Sequence, residues 1–273
     1  MPAALHSERV ARSDASPSQW LLLTHGIYGA GMNWRSIARA VTDQRRDWGV
    51  LLVDLRHHGH STGGEPPDTI AACANDLSVL VNDHSAELPV RAIAGHSFGG
   101  KVVLAARAAI APRQTWMLDS SPSPRPDAAI DPTNTVARVL ALMESMPPVW
   151  TKRDDFISAV TAAGFDLGLA RWLAMNVVPG PDGVLRNRLE LGAIRAMLDD
   201  YYATDLWPAL EAPTPGDVHV VAASTGSALS AADQGRLAAS PPHVHVHPVT
   251  AGHWLHIDAP AAVIALFAAN LPA

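Results

Sequence analysis

The run Arg91-Ala-Ile-Ala-Gly-His-Ser-Phe-Gly-Gly-Lys101 constrains this chain more than any other. It reads as a short apolar strand, Val90–Ala94, entering Gly95-His96-Ser97-Phe98-Gly99 and continuing into a helical stretch over 99–110. A Gly-x-Ser-x-Gly pattern between strand and helix sets a serine on a sharp, strained turn. Side chains two residues before and after that serine would collide, and glycine at 95 and 99 removes both collisions. Ser97 is left exposed just ahead of a helix N-terminus, which favours developing negative charge. The pattern alone arises by accident in roughly one chain in ten of this length and composition. Its weight lies in the strand–turn–helix context.

The rest of the chain repeats that alternation. Strands are expected at Trp20–Thr24, Val50–Asp54, Val90–Ala94, Thr115–Leu118, Val218–Ala223 and His243–Val249. Helical periodicity fills 34–46, 69–86, 99–110, 230–239 and 259–270. Strands alternating with helices imply an α/β fold, a parallel sheet covered on both faces, with chemistry collected beyond the carboxyl ends of the strands. Between Ser121 and Pro215 the alternation stops. A Pro/Ser-rich linker opens this segment, Ala212-Pro-Thr-Pro-Gly216 closes it, and helical spacing of apolar residues runs between them. Residues 1–122 and 213–273 therefore form the expected core, and 123–212 an inserted helical cap. Met143, Met146, Trp150, Trp172, Met175 and Trp207 are candidates for an apolar substrate pocket, with packing of the cap's own interior as the alternative for each.

A serine hydroxyl needs a base to take its proton. His253, in Ala251-Gly-His-Trp-Leu-His256 just after the last strand, is the candidate, ahead of His256. Two backbone N–H groups must hold the oxyanion. Phe98 follows the nucleophile, and Ile27 lies in His25-Gly-Ile-Tyr-Gly29, the loop after the third strand of such a sheet. His25 is expected to brace that loop rather than to react. The acid is less constrained. The loop after the seventh strand, Val218–Ala223, has no carboxylate before Asp233, ten residues on, whereas Asp119 ends the strand directly after the elbow helix. Asp119 is the first candidate to orient His253, with Asp233 on a surface helix as the alternative.

Two histidine groups, His57/His58/His60 and His243/His245/His247, invite a metal reading. Neither is read as coming with a nearby carboxylate or cysteine set, and a serine triad needs no metal, so both are read as structural or surface histidines and no metal is expected. Asp54, Arg56 and Gly59 are expected to shape the turn that follows Val50–Asp54. The 273 residues are 48% hydrophobic with a net charge of −6, enough for a large core and unsuited to nucleic acid or an anionic membrane. No apolar stretch reaches the ~18 residues of a membrane span. Residues 1–18 lack the apolar region of a signal peptide, and the lone Cys73 reads as a core residue of a reducing, cytoplasmic compartment.

Taken together these residues resemble the α/β-hydrolase fold family, and most closely the small YbfF-like carboxylesterases. The matching pieces are His25-Gly-Ile-Tyr-Gly29 with Asn33, Asp54-x-Arg-x-His58-Gly-x-Ser61, Gly95-His-Ser-Phe-Gly-Gly-Lys101, Leu118-Asp-Ser-Ser-Pro122 and Ala251-Gly-His-Trp254. The segment Leu185-Arg-Asn-Arg-Leu-Glu190 also looks like the arginine/asparagine stretch of that group. The resemblance implies a cofactor-free serine hydrolase of small carboxylic esters, a monomer or homodimer, with Ser97, His253 and Asp119 as triad. Tyr28, Met143, Trp150, Trp172 and Trp254 are the candidate pocket residues. Related hydrolases share these motifs, so carbon–carbon bond hydrolase, lactonase, thioesterase and perhydrolase activities are alternatives, as is a slow-turnover ligand receptor.

Overall fold

In the computed structural model, which describes residues 1–213 and 216–273, the apolar runs pair into one seven-stranded sheet. Thr214 and Pro215 of the closing linker lie outside the described residues. The first half of the core runs β1 (Ser7–Val10), β2 (Gln19–Thr24), α1 (Arg35–Gln44), β3 (Trp48–Val53), α2 (Ile70–Asp83), β4 (Val90–His96), α3 (Phe98–Ile110) and β5 (Gln114–Leu118). The inserted segment carries α4 (Thr135–Ser145), β6 (Val149–Trp150), α5 (Arg153–Ala162), α6 (Leu167–Leu173), β7 (Val177–Pro179), β8 (Leu185–Asn187) and α7 (Leu191–Ala203). The chain returns through α8 (Trp207–Glu211), β9 (Asp217–Ala223), α9 (Ala231–Ala238), β10 (Val244–Val249), α10 (Leu255–Asp258) and α11 (Pro260–Asn270).

The order across the sheet is β1-β3-β2-β4-β5-β9-β10, parallel except for β1. The winding direction reverses between β2 and β4, and a sheet of this kind binds its ligand beyond the strand ends at that reversal. The loop after β2 and the turn after β4 both open there. Both faces are covered over the middle of the sheet, which is why β2 and β3 are buried along their whole length. Leu22 packs with Cys73 and Leu77 of α2 and Val102 of α3, while Leu21 and Leu23 pack with Ile37 and Val41 of α1 and Phe267 of α11. Each such leucine contributes about 1.5–3 kcal/mol of burial.

The differences from expectation are local. Strand β1 had no apolar signal, because it is a four-residue edge strand, Ser-Glu-Arg-Val. Among the described residues it alone precedes β2, so the strand expected as third is the second, and the one expected as seventh is the sixth of this sheet. The insertion expected to be helical also holds a three-stranded sheet, β6-β8-β7, whose strands of two or three residues are too short to show a period. Helix α8, placed in the insertion by sequence, packs through Trp207 and Leu210 on Leu104, Met117 and Val218 of the core. Finally, both histidine groups do have a carboxylate beside them, His57 through Asp68 Oδ1 at 2.8 Å from its Nε2 and His245 through Asp217. Asp217 of the neighbouring strand lies 3.7 Å from the His245 Nε2.

Candidate active site

The turn between β4 and α3 has the strain expected of it. Ser97 sits at φ 52°, ψ −116°, a conformation L-residues rarely adopt. The flanking glycines leave no room for side chains. A Cβ on Gly95 would lie 2.1 Å from the Gly99 carbonyl oxygen, and one on Gly99 would lie 2.4 Å from that of His25. The turn is pinned by the Ser97 N–H, which donates to Leu118 O at 3.0 Å. Among the described residues, the Phe98 and Ile27 N–H groups donate to no protein acceptor. They are the two donors expected of an oxyanion site.

The loop carrying Ile27 is held by buried imidazoles. His25 Nδ1–H donates to Gly26 O at 2.7 Å and its Nε2 accepts from Leu55 N–H at 3.0 Å. His58 Nε2 accepts from Tyr28 N–H at 3.2 Å, while its Nδ1–H donates to Arg56 O. Burial holds both rings below the usual histidine range, so they stay neutral and can accept as well as donate. His25 is a brace, as expected. Asp54 accepts from Gly31 N–H and His60 N–H, and Arg56 is fully buried in a bidentate pair with Asp76, so the turn after β3 is structural too.

Asp119 follows β5 at φ 45° and is fully buried. Its Oδ2 accepts from His253 Nδ1 at 2.6 Å and Ala228 N–H at 3.0 Å, and its Oδ1 from Ala223 N–H and the Ser227 hydroxyl. Burial disfavours the carboxylate, but these hydrogen bonds outweigh it and hold Asp119 below its ordinary range. An ionised Asp119 can only accept, so the His253 proton lies on Nδ1 and Nε2 is left as a base. Asp233 is engaged elsewhere. It accepts from the hydroxyls of Ser121 and Ser123 and from Ser230 N–H at the start of α9. The expectation of a surface position for Asp233 is corrected, since it is 3% exposed and caps that helix from within. His256 packs against Trp34 beside His96, and burial lowers its pKa to about 4. His96 Nε2–H donates to His253 O at 2.8 Å and steadies the loop that carries the base.

Ser97 and His253 line two cavities. The first, about 50 Å³, is a narrow apolar slot formed by Ile27, Tyr28, Val136, Val139, Leu169, Trp172 and Trp254. The second, about 890 Å³, is a wider cleft edged by Arg125, Asn134, Tyr201, Tyr202 and Ser227. Among the described residues Ser97 Oγ makes no hydrogen bond to His253, and such bonds often close only around substrate. Of the pocket candidates, Tyr28, Trp172 and Trp254 line the slot, and the two indoles meet edge to face at 4.7 Å. Met143 and Trp150 do not. Met143 is buried in the insertion's interior, and Trp150 packs edge-on against Phe156. Met146 packs on the same interior, Met175 is exposed, and Trp207 belongs to the core. Sequence reading missed Val136, Val139 and Leu169, whose helical spacing cannot say which face meets the slot. It also missed the cleft residues, which come from four separate segments.

The insertion is tied to the site by hydrogen bonds rather than by apolar contact alone. Asn176 Nδ2–H donates to Tyr28 O, the Tyr28 hydroxyl donates to Val136 O, and Arg188 donates to Gly59 O. Lys101 of the elbow helix is fully buried and donates to the carbonyls of Ser123, Tyr201 and Thr204, where the insertion leaves and rejoins the core.

This chain is similar to known proteins over most of its length. It is 26% identical over 245 residues to the sn-1-specific diacylglycerol lipase ABHD11 of Xenopus laevis, covering 87% of this chain and 75% of that protein. The Mus musculus protein of the same name is 26% identical over 246 residues, covering 88% and 76%. Among solved structures, a marine microorganism esterase superposes with a TM-score of 0.81 at 23% identity, over 97% of this chain and 98% of that one. An E-2-(acetamidomethylene)succinate hydrolase does so with 0.75 at 20% identity, over 98% and 100%. A sequence model described as the alpha/beta hydrolase family matches residues 21–266. With the sheet order, the strained serine turn and that match in agreement, the chain belongs to the alpha/beta hydrolase family.

Proposed function

We propose that this hydrolase is a serine esterase that cleaves carboxylic esters through an acyl-enzyme on Ser97. His253 Nε2 takes the Ser97 proton as Oγ attacks the ester carbonyl. The Ile27 and Phe98 N–H groups receive the charge that develops on the carbonyl oxygen, which in other serine hydrolases is worth about 2.7–4 kcal/mol per donor. Asp119 keeps the Nδ1–H tautomer and stabilises the imidazolium until the proton passes to the leaving alkoxide. Water, deprotonated by the same histidine, then releases the acid. No step needs a metal or cofactor. The observation that carries this reading is the 2.6 Å His253–Asp119 hydrogen bond at the cavity that Ser97 lines.

Residues 123–203 form the cap in this proposal, with α8 returned to the core. The apolar slot takes the acyl chain and the wider cleft the alcohol. The narrowness of the slot favours short acyl groups, whereas the relatives are named for a lipase, so chain length is the open variable. A small ester, a chain acting as monomer or homodimer and a cytoplasmic location belong to the same proposal. The test is fluorophosphonate labelling, followed by turnover of nitrophenyl esters of graded length beside a diacylglycerol. Ser97→Ala should abolish labelling and lower kcat by about 10⁴-fold or more while the chain stays folded. Undiminished labelling of that variant overturns the nucleophile, and labelling without turnover of any ester points to a receptor.

A further inference from the structure

A second constellation lies at the opposite end of the sheet, where the hydrolase chemistry uses nothing. Strands β9 and β10 pair in parallel with His245 beside His219. Alternate residues of a strand share a face, so Asp217 and His219 of β9 stand next to His245 and His247 of β10. One donor atom from each of Asp217, His219 and His245 lies within 4.8 Å of the other two. The His219 ring is fixed on two sides. It stacks on Trp116 at 4.0 Å and 12°, and its Nδ1 lies 2.9 Å from His247 Nε2. Its other nitrogen, Nε2, is buried and has no hydrogen-bond partner among the described residues. His219 itself is 4% exposed. When His219 Nδ1–H donates to His247, the orphan Nε2 carries a lone pair that no protein donor meets.

We propose that Asp217, His219 and His245 bind a divalent transition-metal ion of the zinc class, with His247 as the positioning residue and water as fourth ligand. Two imidazoles and one carboxylate are the donor set that zinc, nickel and copper prefer, whereas calcium and magnesium take oxygen. The pairing of His219 Nδ1–H with His247 is the outer hydrogen bond by which ligating histidines are usually oriented. Tetrahedral zinc, with bonds of about 2.0–2.2 Å, sets its donors roughly 3.3–3.6 Å apart. The half-exposed side chains of Asp217 and His245 are free to close that gap around the fixed His219. Asp217 starts β9 and Ala223, which donates to Asp119, ends it, so at 3.3 Å per residue His219 lies roughly 13 Å and Asp217 roughly 20 Å along the strand from the triad end. The ion clips the edge strand β10 to β9, away from the chemistry. The proposal does not depend on which bond the enzyme hydrolyses.

The experiment uses the full chain without a histidine tag, stripped by a chelator and titrated with Zn²⁺ against a chromophoric competitor. One ion per chain is expected, with Tm raised by roughly 5–10 °C when free zinc reaches 100 times Kd. His245→Gln and Asp217→Asn, both at half-exposed positions, should each weaken binding by about 100-fold or more. His247→Phe should cost about 10–100-fold, the range of an outer partner. Absence of stoichiometric binding overturns the proposal. So does binding that survives both His245→Gln and Asp217→Asn, which would place the ion on other histidines of the chain.

Discussion

Replacing Asp119 by asparagine separates the proposed triad from its alternative more sharply than any other change. Four donors converge on this carboxylate, Ala223 N–H and the Ser227 hydroxyl on Oδ1, Ala228 N–H and His253 on Oδ2. An asparagine can keep its carbonyl oxygen toward Ala223 and Ser227, but its NH₂ then faces the Ala228 N–H and His253 Nδ1. Two donors cannot share that position, so His253 moves its proton to Nε2 and ceases to be a base toward Ser97. The expected loss in kcat is about 10⁴-fold, or about 5.4 kcal/mol of barrier. Asp233→Asn tests the other acid. It disturbs hydrogen bonds from Ser121, Ser123 and Ser230 without touching His253, so it should cost about 1–2 kcal/mol of stability and less than about tenfold in kcat. Both variants are compared by nitrophenyl ester turnover, with circular dichroism to confirm that each is folded at the assay temperature. A dead Asp233→Asn beside an active Asp119→Asn would refute the reasoning.

Trp172→Ala opens the wall of the apolar slot, so it should change KM and acyl-chain preference while leaving labelling of Ser97 intact, whereas Trp150→Ala should lower stability alone. Identical ester profiles for the two variants would remove Trp172 from the pocket. Acid stability should also report Asp119. Its folded pKa lies below the unfolded value of about 3.9, so the unfolded chain binds the proton more readily, and the contribution is complete above that value and lost as pH falls through the folded one. The urea midpoint should therefore drop on acidification below about pH 4, and drop less steeply in Asp119→Asn. Parallel acid profiles for the two chains would show that the carboxylate is not held this way.

Local patterning was enough to read most of this protein. The strand–glycine–serine–glycine–helix run specified the elbow because the exclusion at Gly95 acts on Gly99, four residues on, although the space denied at Gly99 belongs to the distant His25 loop. The parallel core strands were legible because a sheet covered on both faces needs uninterrupted apolar runs, and His253 because it follows the last of them. Elements whose reason lies outside their own segment were not legible. Edge strand β1 is paid for by pairing with β3, and β6, β7 and β8 exist only through one another. The ranking of Asp119 ahead of Asp233 came from its place at a strand end, but the contact of Asp119 with His253 is tertiary. Both are buried carboxylates in hydrogen-bonded nests, and only the packing of β5 beside β9 brings one of them to His253. The pocket follows the same rule. Helical spacing told that Met143, Trp150 and Trp172 were apolar positions of the insertion, but which of them faces Ser97 depends on how α4 and α6 settle over the strand ends. Asp217 beside His219 and His245 is the clearest case. Asp217 and His219 are 28 and 26 positions from His245 in sequence, and only the register of two parallel strands makes them its neighbours. Short-range sterics and burial are written in the order of residues, whereas the meeting of distant polar groups is decided by the packing of the whole chain.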